Sequence, residues 1–159
     1  MALAITAALD RIDAILSATN GSTTMREVYR GEMRGIPSTG PYACYFLTGR
    51  RAPPVGRMTL PNTMARWIVR VECAWVMSQE ANHMSAVEIE IWNAVRDLFA
   101  AFRGDSTLNA AEDAGVTDLD IGDPTVEFRE FARGPEGNGY RVLMFDLELE
   151  SLEEETISA

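Results

Sequence analysis

Apolar residues recur at helical spacing from the start of the chain. Ile5, Leu9, Ile12 and Leu16 share one face, with Asp10, Asp13 and Ser17 elsewhere around the wheel. The pattern predicts a helix from Leu3 to Thr19, stopped by Asn20 and Gly21. Thr24–Tyr29 and Tyr42–Thr48 read as short strands, and Gly31, Gly35, Pro37, Gly40 and Pro41 exclude a helix between them. Gly49 to Asn62 carries Arg50, Arg51 and Arg57 beside Pro53, Pro54 and Pro61, which can neither donate to a ladder nor continue a helix. A long basic loop over about residues 49–65 is expected.

From Arg66 to Met77 the period changes to two. Trp67, Val69, Val71, Cys73, Trp75 and Met77 point one way, and Arg66, Arg70 and Glu72 share the other face with Ile68, Ala74 and Val76. Ser85 stands three residues before Glu88, the spacing of a capping box, and Val87, Ile91, Val95, Leu98 and Phe102 follow at helical spacing. This predicts a helix over Ser85–Arg103, closed by Gly104, whose apolar face Trp92 and Phe99 extend sideways. After an Ala- and Asp-rich connection, Thr125–Ala132 and Tyr140–Ser151 read as a hairpin around Gly134–Gly139. Leu143, Phe145, Leu147 and Leu149 would face the core, and Met144, Asp146, Glu148 and Glu150 would face out. The expected fold is α+β: one mainly antiparallel sheet of about five strands packed with two main helices, in a single domain over residues 1–152. Residues 153–159 would form a frayed acidic tail.

At 159 residues and 47% hydrophobic, the chain has the composition of one globular domain. Its net charge of −10 argues against non-specific wrapping of nucleic acid. Every basic residue is Arg. Two cysteines, Cys44 and Cys73, and a single histidine, His83, suggest neither a disulfide framework nor a zinc site and fit a reduced cytoplasm. Asp10, Arg11 and Asp13 interrupt the apolar start, no basic leader precedes it, and no run approaches a membrane span, so neither export nor membrane insertion is expected. Asn20, Gly21 and Ser22 match a glycosylation sequon and read as a turn.

Catalytic signatures are missing. A Gly-rich phosphate loop needs a Lys, and the chain has none, nor does a dinucleotide fingerprint follow any strand. His83 lies in the polar stretch Gln79–Ser85 and reads as a surface-loop histidine. Asp118, Asp120 and Asp123 around Gly122 lack the spacing of a calcium loop, and Glu88 and Glu90 point in different directions on one helix. No catalytic, cofactor-binding or metal-ligating residue is assigned, and no cofactor is expected. Charge is nevertheless uneven. Residues 26–70 hold eight Arg against Glu27 and Glu32, whereas residues 142–159 hold six acids and no base. Such patches can pair within a subunit or, in a ring, between neighbours.

Several segments together resemble the tail terminator and tail completion proteins of long-tailed bacteriophages and related gene transfer agents. They are the opening helix of Ile5–Leu16, the Gly- and Pro-rich stretch into Pro41 and Tyr42, and the long strand Trp67–Met77 feeding a long helix. The turn of Asp105, Ser106, Thr107 and Leu108 and a closing hairpin ending in an acidic strand complete the likeness. The resemblance implies a structural virion protein of the tail or neck, assembled in the host cytoplasm, with no enzymatic activity. It implies a homo-oligomeric ring, typically hexameric, that stops growth of the tail tube and joins it to the head connector. Its partners would be itself, the tail tube protein and the head connector or stopper protein. Genomic DNA would pass through the lumen without specific binding, and no membrane would be involved. An acidic chain suits that passage, because basic walls hold phosphate. Contacts between subunits or stacked rings are then expected from Arg50, Arg51, Arg57, Arg66, Glu148 and Glu150. Three other readings stay open: a different neck or head–tail adaptor protein, an enzymatic or small-molecule-binding domain with a cleft near Tyr42, Tyr45, Trp67 and Trp75, and a dimer formed through the sheet edge.

Overall fold

A computed structural model describes residues 3–32, 41–51, 62–77, 81–108, 114–129 and 139–154. In chain order the elements are α1 (Ile5–Ser17), β1 (Glu27–Arg30), β2 (Tyr42–Arg51), β3 (Asn62–Met77), α2 (Ala81–Arg103), β4 (Asp118–Ile121), β5 (Thr125–Arg129) and β6 (Gly139–Glu154). The strands form one sheet in the order β1-β2-β3-β6-β4, with β5 also paired to β6. β1 runs parallel to β2, and every other pairing is antiparallel. The fold is the expected α+β, with six strands instead of five. The added strand, β4, lies within what reads in the sequence as an Ala- and Asp-rich connection.

The sheet is organised about β3 and β6, whose sixteen residues each pair in one register from Asn62 opposite Glu154 to Met77 opposite Gly139. Their alternation creates two unlike faces. On one, Val69, Val71, Cys73, Trp75, Leu143, Phe145, Leu147 and Leu149 are buried against Ile12 and Leu16 of α1 and Val87, Ile91, Leu98 and Phe102 of α2. Phe99 and Phe102 meet the Phe145 ring edge-on, with centroids 5.1 and 6.2 Å away. Both helices therefore cover this face, and none covers the other among the described residues. No helix among those residues is long and apolar enough to cross a membrane.

Polar ties hold the helices in place. The Tyr45 hydroxyl, fully buried, donates to Asp13 at 2.6 Å and accepts from Arg30 Nε at 2.9 Å, joining α1 to β1 and β2. Burial, then the bond to Asp13, pushes this hydroxyl up to about 12, so it stays protonated. Arg11 Nε donates to Asp105 at 2.7 Å, fixing α1 to the turn after α2. That turn ends at Leu108, which is wholly buried with φ +50, a left-handed conformation sustained by its apolar contacts. On the other flank of α2, Asp97 accepts from the Ser22 amide and from the Ser22 and Thr23 hydroxyls at 2.8–3.1 Å. Gly21 makes this tight approach possible: its φ is +58, and a Cβ there would lie 2.5 Å from an Asp97 oxygen.

Several expectations need correction. Helix α2 starts at Ala81, so Ser85 is not its cap and His83 belongs to the helix rather than a loop. Ala81 and Met84 favour helix, and no breaker intervenes. Glu88 makes an ion pair with Arg141 at 3.5 Å. The expected 49–65 loop is strand at both ends, because Gly49–Arg51 continue β2 and Asn62–Ala65 open β3; Arg57 and the prolines lie outside the described residues. β6 runs on to Glu154, so Glu153 is not part of a frayed tail. Met144 points to the open face yet is buried, clustered with Tyr42, Ala74, Tyr140 and Val142. Trp92, on the sideways extension of the apolar stripe, remains 55% exposed.

The Trp75 side chain is buried in the core of the helix-covered face, near the end of β3. Trp75→Ala is expected to lower stability by about 3–5 kcal/mol through lost burial and a cavity, read by thermal or denaturant unfolding. A wild-type melting temperature would contradict this β3 register.

Candidate functional site

Four of the six sequence-predicted residues meet on the open face, at the end of the sheet where β2 stops and β3 starts. Arg66 is their hub. Its guanidinium reaches Glu148 at 3.0 Å, Asp120 at 3.3 Å and Glu150 at 3.6 Å. Arg51 reaches Glu148 at 3.6 Å. Four residues further along β3, Arg70 Nε donates to Asp146 at 3.0 Å. These are neighbours by register: Arg66 stands opposite Glu150 and Arg70 opposite Asp146, and Glu148 stands opposite Asp120 on β4. The bond to Glu148 holds the Arg66 charge above its ordinary value against the cost of desolvation, and the bond to Asp146 does the same for Arg70. The predicted set is therefore first a cross-strand network within one chain.

Arg50 goes elsewhere. A bulge between Leu47 and Gly49 shifts the register of β2, so Arg50 stands opposite Trp67 on the helix-covered side, its guanidinium 5.4 Å from that ring's centroid. Beside it, the Glu153 carboxylate accepts from Trp67 Nε1 at 3.0 Å, the Ser151 hydroxyl at 2.8 Å and the Leu3 amide at 3.3 Å. Burial alone would raise the Glu153 carboxyl, but these donors, with Arg50 nearby, hold it below the usual carboxylate range.

Sequence reasoning missed Asp120, Arg70 and Asp146 as partners in the network. The signal for Asp120 is the alternation Asp118, Leu119, Asp120, Ile121, a short strand pattern with its acids on one side. Beyond the charged end, the open face becomes apolar. Tyr42, Ala74, Tyr140, Val142 and Met144 form a second cluster, and Glu72, only 8% exposed at its border, takes Arg129 at 3.0 Å. Burial works against the Arg129 charge, and Glu72 and Glu127 outweigh it, keeping the guanidinium above its ordinary value.

The whole sheet is divided by charge along its strand order. β1, β2 and β3 hold five Arg against Glu27 and Glu72, while β4, β5 and β6 hold eight acids against Arg129 and Arg141. The two halves meet at the β3–β6 ladder.

Features that would carry catalysis are weak. Cys73 is fully buried, and burial pushes its thiol far up, so the nucleophilic thiolate is not available. Among the described residues no three His, Cys, Asp or Glu side chains gather as a metal site. The aromatic residues considered as a cleft do not form one: Tyr45 and Trp75 are buried under the helices, while Tyr42 lies in the cluster on the open face. A hollow of about 350 Å³, lined by both polar and apolar side chains, lies between the Ser22–Thr24 turn and α2, and Glu90 is its only charged lining residue among those described.

Because the Glu153 carboxyl is depressed in the folded state, its contribution is present above the unfolded value near 4.3 and is lost as pH falls through the folded one. Glu153→Gln is therefore expected to reduce the fall in melting temperature between about pH 5 and pH 3. An unchanged acid-side slope would show that Glu153 does not titrate in this way.

No family model matches the chain, and no curated protein matches it.

Proposed function

We propose that this protein is a structural assembly subunit that works as a homo-oligomeric ring of the tail-terminator type. In that role it caps a tail tube and joins it to the head connector. The observation that carries the reading is the charge division of the sheet: on one side the end of β2 carries Arg50 and Arg51, and on the other β4 carries Asp118 and Asp120, while β1 and β5 are each balanced. A subunit whose two edges differ in sign favours head-to-tail contact with its own copies and disfavours contact between like edges. Head-to-tail contacts close into rings when the rotation between copies divides a full turn.

Two further features support an assembly role. Ile89 and Trp92, three residues apart on α2, and Phe128 on β5 remain more than half exposed, and large aromatic side chains of this kind are enriched at protein contacts. The net charge of −10 suits a channel that DNA must traverse without being held. The stacking partners in this reading are the tail tube protein on one side and the head connector protein on the other. DNA is cargo in the lumen and is not a bound ligand.

Native mass spectrometry and negative-stain microscopy of the purified chain test the reading. Closed rings are expected at tens of micromolar protein in low salt, with dissociation as ionic strength rises, since edge charges are screened over about 8 Å at physiological salt. A monodisperse monomer under all these conditions, or an enzymatic activity abolished by a single polar substitution, would overturn it.

A further inference from the structure

Beside β2, β1 ends at Arg30 opposite Tyr45, so among the described residues no strand lies beside the stretch from Phe46 to Arg51. Leu47, Thr48, Arg50 and Arg51 on it are exposed. At the far side of the sheet, β4 is the last strand in the order. These two edges, open among the described residues, are level with each other. Leu47 stands opposite Val69, Val69 opposite Leu147, and Leu147 opposite Ile121. Likewise Arg51 stands opposite Arg66, Arg66 opposite Glu150, and Glu150 opposite Asp118.

Direction matches as well as height. β2 is antiparallel to β3, β3 to β6, and β6 to β4, so β2 and β4 run in opposite senses. Rotating a copy about an axis along the strands therefore sets its β4 beside the β2 of the next copy, antiparallel and without axial slip. The faces agree too. Leu47 and Ile121 belong to the helix-covered side, whereas Arg51 and Asp118 belong to the open side.

We infer that neighbouring copies of this chain join by antiparallel pairing of β4, Asp118–Ile121, with the open end of β2, Leu47–Arg51, giving one sheet continuous through the ring. The inference rests on the ring reading above and specifies its contact. The occupant of each edge is a second copy because the charges select it. Pairing β2 with β2 sets Arg50 and Arg51 against their own kind, and pairing β4 with β4 does the same to Asp118 and Asp120; only β2 with β4 brings opposite charges together. Leu47, 37% exposed in the isolated chain, then gains Ile121 as a cross-strand neighbour. Arg51 is free to turn toward Asp118, because its side chain is 72% exposed and its 3.6 Å contact with Glu148 is long. The bulge between Leu47 and Gly49 fits the same pairing: it gives β2 one extra residue over this span, as it does against β3.

Disulfide trapping tests the contact. In the double variant Leu47→Cys, Ile121→Cys, β3 and β6 separate the two positions within one chain by three strand spacings, about 14 Å. A bridge needs Cα atoms within about 7 Å, so any bridge formed joins two chains. The natural Cys44 and Cys73 are buried and do not compete. Mild oxidation is expected to give a reducible ladder up to the ring size on a denaturing gel, and each single variant is expected to stay monomeric there. Rings by native mass spectrometry without a ladder would overturn the edge pairing and leave the ring reading standing. Absence of rings in the wild type would overturn both. Charge exchange gives an independent readout on folded protein: Arg51→Glu and Asp118→Arg are each expected to weaken ring formation by about tenfold, and combining them to restore it. Loss without restoration would count against the pairing.

Discussion

The sixteen-residue antiparallel ladder between β3 and β6 is the constraint on which the rest of the structure depends. Because side chains alternate along a strand, one register fixes both faces along the full length of the ladder. In this register Val69, Val71, Cys73 and Trp75 share a side with Leu143, Phe145, Leu147 and Leu149, and both helices pack against that side. A slip of one residue in either strand would turn its apolar row to the face that no described helix covers and its charged row under the helices. β2 is then added on the β3 side, and β4 and β5 share the other side of β6 end to end. Each outer strand inherits its height and facing from the central pair.

The same ladder also decides what the uneven charge of the chain does. It brings the Arg-rich first half of the sequence against the acidic end, so that Arg66 and Arg70 meet Asp146, Glu148 and Glu150 across two neighbouring strands. These side chains are partly exposed, and ion pairs of that kind add little to stability. Their weight lies more in choosing the register, since the slipped alternatives lose them and bury charge at once. Pairing at the centre leaves the outer strands with the remainder, positive toward β2 and negative toward β4. An internal network and an external polarity thus come from one arrangement.

Much of this was legible in the sequence where a pattern was long. The period of two over Trp67–Met77 and Tyr140–Ser151 located the central pair and its core face, and the helical spacing of Ile5–Leu16 and Val87–Phe102 located both helices. Short or interrupted signals failed for physical reasons. β4 has four residues, two of them Asp, a composition that reads as a turn when its partner β6 is not in view. Arg50 and Arg51 looked like loop because prolines follow close behind, yet their backbone is held by Trp67 and Arg66 on the neighbouring strand. Glu153 reads as a solvated tail in the sequence, because two of its carboxylate's three donors, the Leu3 amide and Trp67 Nε1, arrive only by tertiary approach, beside the local Ser151 hydroxyl. Of the candidate residues, sequence could supply the two charged groups but not their geometry. Arg66 was identifiable as a charge, while its place among Asp120, Glu148 and Glu150 follows from a strand order that no local pattern encodes.

The open face is graded along the strands as well as across them. At the end marked by Ala74 and Val142 it is apolar and buried, around Tyr42, Tyr140 and Met144. Glu72 with Arg129, and then Arg70 with Asp146, form a middle zone in which each charge faces a partner. At the end marked by Arg66 and Glu150 the network is exposed, and the strands on either side of it, β2 and β4, have no further strand beside them there among the described residues. Stability and availability are therefore separated in space: the apolar end and the helix-covered face hold the domain together, so the charged end need not. Side chains at that end can exchange an internal partner for an external one at small cost to the fold, which is the physical requirement for a subunit that folds alone and then assembles.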